Sequence, residues 1–303
     1  AFAEDDGERC VRFHRPGRLL FYKDTAVFPV GISVPTSLVL PRTPRKAGRV
    51  APFVGSRKGG DTSEYVFGPL DEEKYHGFYR RHRFAHTQKK GGWDALRHVE
   101  ILAAGAVPLF KGLSRAPPFV VPFVPAAELL EAEEQLFPYT KAREAAYNAT
   151  VRSLLEHTRR CISSESMAAR VLRTLGIWPT PRPLRILYVT CGWGATSFDD
   201  GWQGPVSIGL FLGLHSLLAR HRGSRIVDAP LIKSNFLEEH THRSHMWYTF
   251  ERERGCRFTE ENLRKMMYGY GFSYARRIPR EAMATSAERA AVKESIFRRE
   301  FDA

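Results

Sequence analysis

A short basic loop that contains two glycines is the part of the sequence best suited to chemistry. It consists of Lys89, Lys90, Gly91, Gly92 and Trp93, and a segment with helical periodicity follows it. Backbone N–H groups and the helix dipole attract an anion at the amino end of a helix, and glycines let a phosphate approach the backbone closely. The loop therefore predicts a diphosphate site, although the same pattern also fits a tight turn with a solvated lysine pair.

The predicted helix carries two charged residues that would extend this site. Arg97 is suited to contact phosphate, and Glu100 is suited to accept hydrogen bonds from ribose hydroxyls. The two residues are three positions apart, so a surface ion pair is the alternative interpretation. His98 has no role in this scheme and is interpreted as a helix-packing residue.

The elements that must position the loop form one continuous unit. Apolar residues recur at helical spacing over residues 95–104, with Asp94 suited to the N-cap and Gly105 to the C-terminal stop. The short aromatic segment 84–87 and the compact apolar run 106–110 on either side suit strands buried in a parallel sheet. The sequence thus predicts strand, loop, helix and strand in direct succession.

This unit resembles the donor-site helix of GT-B glycosyltransferases. In that pattern a glycine-containing loop precedes a helix with Glu-Ala-x-Ala-x-Gly-x-Pro or a relative of it, and residues 100–108 stand in that register. The stretch is also similar to a family of glycosyltransferase-like proteins of algae and large viruses, with the pattern Phe-Ala-x-Thr-x-Lys-Lys-x-Gly-Trp-Asp-x-x-Arg-His-x-Glu-Ile-Leu. The resemblance implies that the amides of Gly91, Gly92 and Trp93 hold the diphosphate of a nucleotide sugar, and that Glu100 holds its ribose.

The remaining pattern predicts an α/β protein, and the resemblance implies two Rossmann-like α/β/α units of the GT-B type. Residues 1–125 are expected to form the donor-binding half, residues 126–178 a helical connector, and residues 185–303 a second, incomplete Rossmann-like half beyond a proline-rich linker. Helices are predicted at 71–83, 126–136, 139–160, 164–175 and 205–220, and further strands at 18–22, 27–34, 49–55, 185–191 and 225–228.

The second half offers weaker candidate sites. Asp199 and Asp200 lie in the loop after the predicted strand 185–191, where open α/β sheets bind ligands, and are nominated as an acceptor-activating base. A solvated turn is the alternative. The aromatic segment 266–274 suits a sugar-stacking platform or a packed turn. The glycine-rich loop 56–60 in the first half suits a second phosphate contact or a surface turn.

The order of the two halves differs from that of the similar family. The segments VSIGLFLGLHSLLA, RIVDAP and YGYGFSY resemble the family's N-terminal half, yet here they follow the donor half. This order fits a circularly rearranged transferase, a fragment of a tandem array, or an incomplete gene product.

Composition and charge limit the classes of partner. The chain has 303 residues, 43% of them apolar and 12% aromatic, which is sufficient for packed cores. Its net charge of +13 favours anionic partners, including nucleotide sugars, acidic glycans, anionic membranes and nucleic acid. The basic residues are scattered, so no nucleic-acid-binding signature accompanies the charge. The four cysteines lack CxxC spacing and no Asp-x-Asp motif is present, so no metal site is predicted.

The resemblance implies a metal-independent glycosyltransferase without a cofactor, whose donor substrate is a nucleotide sugar and whose acceptor is a hydroxyl of a glycan or another molecule. Electrostatic stabilisation of the leaving diphosphate is its expected catalytic contribution. The alternative is an inactive glycosyltransferase-like protein that serves as a basic subunit of a larger assembly. The sequence leaves the compartment open, and the secretory pathway or an organelle lumen is compatible with the sequon at Asn148. The predicted substrate-binding residues are Lys89, Lys90, Gly91, Gly92, Trp93, Asp94, Arg97 and Glu100.

Overall fold

The computed structural model describes residues 20–22, 25–44, 46, 48–54, 67, 72–89, 92–117, 121–190, 205–230 and 287. The chain divides into two compact units. The first consists of Ala1–Val54 and Glu73–Pro179, and the second of Gly55–Glu72 and Thr180–Ala303. The candidate phosphate loop belongs to the first unit.

The first unit is built on a three-stranded parallel sheet, which follows a short antiparallel pair of β1 (Leu20–Tyr22) and β2 (Thr25–Val27). The sheet contains β3 (Gly48–Ala51), β4 (His82–Gln88) and β5 (Val107–Lys111) in that spatial order. Phe84 in the middle strand pairs with Val50 on one side and Val107 on the other, and Phe84 and Val107 are fully buried. The predicted parallel strands on either side of the loop are therefore confirmed.

Two helices flank the middle strand along the chain. They are α1 (Glu72–Arg81), which precedes β4, and α2 (Leu96–Ala103), which crosses from β4 to β5. Gly105 ends α2 with a φ of 63°, and two hydrogen bonds close the end: the Gly105 amide donates to the Leu102 carbonyl and the Ala106 amide to the Ile101 carbonyl. This is a Schellman motif, which requires a residue that tolerates positive φ. The predicted glycine stop is confirmed.

Three further helices complete the described part of the first unit. They are α3 (Ala126–Leu136), α4 (Glu144–His157) and α5 (Ser164–Thr174). The helix predicted over 139–160 is shorter, because residues 141–143 form a 3-10 turn and Thr158–Ile162 a π turn. The Ser163 side chain accepts a hydrogen bond from the Ser166 amide, so the predicted serine cap of α5 is confirmed.

The second unit contains a parallel β–α–β arrangement. Strand β6 (Arg185–Thr190) pairs in parallel with β7 (Arg225–Pro230), and α6 (Pro205–Ala219) connects them. Apolar residues cover most of α6, and Ile208, Phe211 and Leu218 are buried. The described residues thus form an α/β protein with parallel strands. Among the helices of these residues, none is both long and apolar enough to cross a membrane.

Candidate functional site

The glycine loop leaves the carboxyl end of the middle strand of the parallel sheet. Strand β4 ends at Gln88, and α2 begins at Leu96. Ligands of open α/β sheets bind in the crevice outside the carboxyl ends of the strands. Lys90 and Gly91 lie outside the described residues, whereas the structure places Lys89, Gly92, Trp93 and Asp94.

Lys89 and Trp93 form the solvent side of the described loop. The Lys89 side chain is exposed, and its Nζ lies 5.2 Å from the centroid of the Trp93 ring. The same ring lies 6.1 Å from the ring of Phe110 in β5. A cation above an indole face is held by the ring quadrupole, worth about 0.5–1 kcal/mol at an exposed site. The tryptophan therefore keeps a positive charge beside the amino end of α2.

Asp94 does not cap α2, so the predicted N-cap is wrong. The residue at the N-cap is Ala95, in an extended conformation with φ −146° and ψ 137°. The Asp94 carboxylate instead accepts a hydrogen bond from the backbone N–H of Ile32. Burial raises the pKa of Asp94 to about 6, although the Ile32 hydrogen bond opposes the shift. Asp94 thus lies one residue before the N-cap, and its carboxylate interacts with the Ile32 backbone and not with the amides of α2.

Arg97 lies inside the protein, at the β3 side of the loop. Arg97 is only 3% exposed. Its guanidinium carbon lies over the ring of Phe53, which follows β3, at 4.4 Å from the ring centroid. A planar guanidinium stacks well on an aromatic face, which allows it to be buried with its charge. Arg97 and Glu100 are both buried, so the location at the surface is wrong, and Arg97 places a positive charge close to the carboxyl edge of the sheet.

Glu100 is also buried, at 2% exposure, and it accepts a hydrogen bond from the Tyr75 hydroxyl at 2.8 Å. Burial, and next the charge of Glu100, raise the pKa of Tyr75 well above its usual value. The phenol consequently stays protonated and donates. This contact joins α1 to α2, and a ribose hydroxyl would have to share or replace it to reach the carboxylate.

His98 connects the middle strand to the loop. Its Nδ1 lies 2.9 Å from the Thr87 hydroxyl and its Nε2 lies 3.1 Å from the Trp93 carbonyl, while the ring stacks on Phe110 at 4.1 Å. Burial, followed by the charge of Arg97, lowers the pKa of His98 to about 3, so the ring is neutral. A carbonyl only accepts, so Nε2 must carry the hydrogen and Nδ1 must accept from Thr87.

His98 is a packing residue, as predicted from the sequence, and it also fixes the Trp93 carbonyl. Three residues of this neighbourhood have no counterpart in the sequence prediction: Phe53, Tyr75 and Thr87. The periodicity of α2 alone does not indicate them, because they lie on other elements. Thr87 could have been found from the sequence, because the two-residue period of the strand places this polar residue on the same buried face as Ala85.

Comparisons with protein-family models, with curated proteins and with solved structures yield no match. The chemistry of the loop is therefore argued from its geometry. Two lysine or arginine charges, a helix amino end without a side-chain acceptor at the N-cap, and an aromatic ring suit a ligand that combines an anion with a planar or sugar moiety. Asp199 and Asp200 lie outside the described residues, as do the segments 56–60 and 266–274.

Proposed function

We propose that the chain binds a nucleotide sugar at the loop between β4 and α2 and transfers the sugar to an acceptor hydroxyl. The observation that supports this most is the position of the loop at the carboxyl end of the central parallel strand, with the amino end of α2 behind it. The engagement of Asp94 with Ile32 adds support, because the carboxylate does not occupy the place of the diphosphate.

The charges around the loop suit the leaving group of a sugar transfer. The acceptor oxygen attacks the anomeric carbon, the bond from that carbon to the phosphate oxygen breaks, and the electron pair leaves on the diphosphate. Lys89, Arg97 and the loop amides would offset the charge that develops there. The acceptor proton needs a base, for which Asp199 or Asp200 are the proposed groups. The arrangement of the two units as a GT-B enzyme belongs to the same proposal.

A second candidate function is that of a glycosyltransferase-like binding subunit without transfer activity. The burial of Glu100 against Tyr75 favours it, since this carboxylate already takes part in the packing of α1 against α2. The two candidates differ in what they predict. Both allow a nucleotide ligand, but only the enzyme releases a free nucleoside diphosphate in the presence of an acceptor or of water.

Binding can be tested with a glycine substitution that the fold tolerates. A Cβ added at Gly92 would meet its nearest described neighbour, the Asp94 amide nitrogen, at 4.0 Å, an ordinary contact. Gly92→Ala should therefore leave stability nearly unchanged and obstruct an anion on the loop backbone. Gly77→Ala in α1 is the matched control, because its Cβ would meet only the end of the Arg81 side chain at 3.7 Å.

The assay is thermal unfolding and calorimetric titration with common uridine and guanosine diphosphate sugars. A ligand at 100 times its Kd stabilises the native protein by about 2.7 kcal/mol. We expect one donor class to bind, Gly92→Ala to weaken it at least about tenfold, and Gly77→Ala to bind as the unsubstituted chain does. The proposal fails if no nucleotide sugar stabilises the protein, or if the two alanine variants bind equally. Binding without release of the nucleoside diphosphate would support the second candidate.

A further inference from the structure

Helix α4 carries an acceptor sequon on its accessible side. Asn148, Ala149 and Thr150 match Asn-x-Thr, and they lie within Glu144–His157. Asn148 and Thr150 are half-buried, at the border between an exposed face that contains Ala145, Ala149 and Arg152 and a face that buries four apolar or aromatic residues. These are Tyr147, Val151, Leu154 and Leu155. A large substituent on the Asn148 side chain would therefore extend into solvent.

The contacts of Asn148 are compatible with a covalent substituent. Its Nδ2 donates to Oε1 of Glu144 at 3.3 Å, and an amide nitrogen that carries a sugar retains one hydrogen for this bond. The other carboxylate oxygen of Glu144 accepts from Arg83 at 3.1 Å and from the Tyr139 hydroxyl. The network that joins α4 to the start of β4 does not depend on the second hydrogen of Asn148.

A separate observation concerns the compartment in which the chain folds. Cys161, in the turn that follows α4, is disulfide-bonded. Disulfides form and persist in the secretory pathway and other oxidising environments, and are rare where thiols are kept reduced. N-glycans are attached to sequons of chains that pass through the secretory route. The disulfide thus indicates an oxidising compartment, which is the condition under which the sequon at Asn148 can be modified.

We propose that Asn148 is an N-glycosylation site, modified while the chain is in an oxidising secretory lumen. In the modification, the Asn148 Nδ2 attacks the first sugar carbon of an oligosaccharide carried on a lipid diphosphate. The carbon–oxygen bond to the diphosphate breaks, the leaving diphosphate takes the electron pair, and Nδ2 gives one proton to a carboxylate base of the transferring enzyme. The resulting glycan covers the solvent side of α4.

The test uses the full chain directed into the endoplasmic reticulum of cultured eukaryotic cells. We expect a mobility shift that peptide-N-glycosidase removes, with deamidation at position 148 detected by mass spectrometry. Thr150→Ser keeps the sequon and should keep the shift, whereas Thr150→Ala and Asn148→Gln should abolish it. Glutamine retains a side-chain amide, so a loss of folding is not expected in that variant.

A second readout secures the interpretation. Alkylation before reduction should leave Cys161 protected in the unsubstituted chain and in all three variants, which shows that each has folded with its disulfide. The proposal is overturned if lumenal chain with a protected Cys161 shows no glycan at Asn148. It is equally overturned if Cys161 is alkylated as a free thiol in the folded lumenal chain.

Discussion

Glu100 is the carboxylate that was predicted to bind ribose. Its hydrogen bond with Tyr75 determines whether it serves the packing of α1 against α2 or the binding of a ligand. Tyr75→Phe removes only the hydroxyl that lies 2.8 Å from Glu100, and it leaves the ring in its edge contact with Tyr79 at 5.0 Å. Because both residues are buried, the substitution removes a bond to a charged group without opening a space larger than one oxygen.

Hydrogen bonds to charged groups contribute about 1.5–3 kcal/mol, and an unmatched buried acceptor carries its desolvation cost. We therefore expect Tyr75→Phe to lower the free energy of unfolding by about 2 kcal/mol, which corresponds to a fall in Tm of about 4–8 °C for a unit of this size. The burial-raised pKa of Tyr75 keeps the phenol protonated, so the loss should be the same from pH 6 to pH 9.

The assay is urea unfolding of Tyr75→Phe, Glu100→Gln and the double variant. If the two side chains interact as the structure shows, the double variant should lose less stability than the sum of the single variants, by about 1 kcal/mol. A Tyr75→Phe variant within about 0.5 kcal/mol of the unsubstituted chain would refute the reasoning, since that is the effect of an ordinary surface substitution.

The same variants separate a packing role of Glu100 from a ribose-binding role. If ribose competes with the phenol for the carboxylate, Tyr75→Phe should bind a nucleotide sugar at least as tightly as the unsubstituted chain does. Glu100→Gln should then bind it about tenfold more weakly, a difference of about 1.4 kcal/mol. Equal affinities in all variants would show that Glu100 serves only the contact between α1 and α2.

Three further predictions concern pH and the helix ends. Burial raises the pKa of Asp94 from 3.8 in the unfolded chain to about 6 in the folded chain, so the folded chain binds more protons between these values. The free energy of unfolding should therefore fall as pH rises from about 4 to about 6. Asp94→Asn should remove this slope in urea titrations. Lys46 is buried with its Nζ donating to the Ala104 carbonyl at 3.2 Å, and burial, followed by the charge of Arg83, lowers its pKa from 10.5 to about 7. The unfolded state therefore holds more protons, and stability should rise between about pH 7 and pH 10.5. A Lys46→Met variant whose stability still rises in that range would contradict this. Gly105→Ala should lower the free energy of unfolding by about 1–2 kcal/mol because of its φ of 63°, and further because the new Cβ would lie 3.1 Å from Pro44. Gly176 has a similar φ of 69° and open space around it, so Gly176→Ala gives the conformational cost alone. Thermal unfolding of both variants measures the difference.

The sequence predicts the strand, helix and strand around the loop well, because each carries its own local signal. Short aromatic or apolar segments predict β4 and β5, and helical spacing predicts α2. Gly105 predicts the end of α2, and its φ of 63° in the structure agrees with that role. The helix Ala126–Leu136 agrees with its predicted limits for the same reason. These signals are contained within about ten residues of chain and need no knowledge of distant partners.

The charged residues of α2 could not be placed from sequence, because their partners lie elsewhere in the chain. Arg97 and Glu100 were expected near a ligand. Their burial with the rest of α2 and their contacts with Phe53 and Tyr75 are what the sequence did not indicate. Sequence spacing predicts which residues share a helix face but not what covers that face. Asp94 is not the cap because α2 begins one residue later than predicted, with Ala95 at the N-cap.

The imidazole of His98 has a consequence for the kinetics of ligand capture. Its Nε2–H donates to the Trp93 carbonyl, so the end of the loop next to α2 is held in place in the ligand-free protein. A receptor that is already ordered loses little conformational entropy on association. If the loop binds a nucleotide as proposed, encounters should be limited by diffusion and charge attraction instead of by a slow closing motion, and the on-rate should fall as salt screens Lys89.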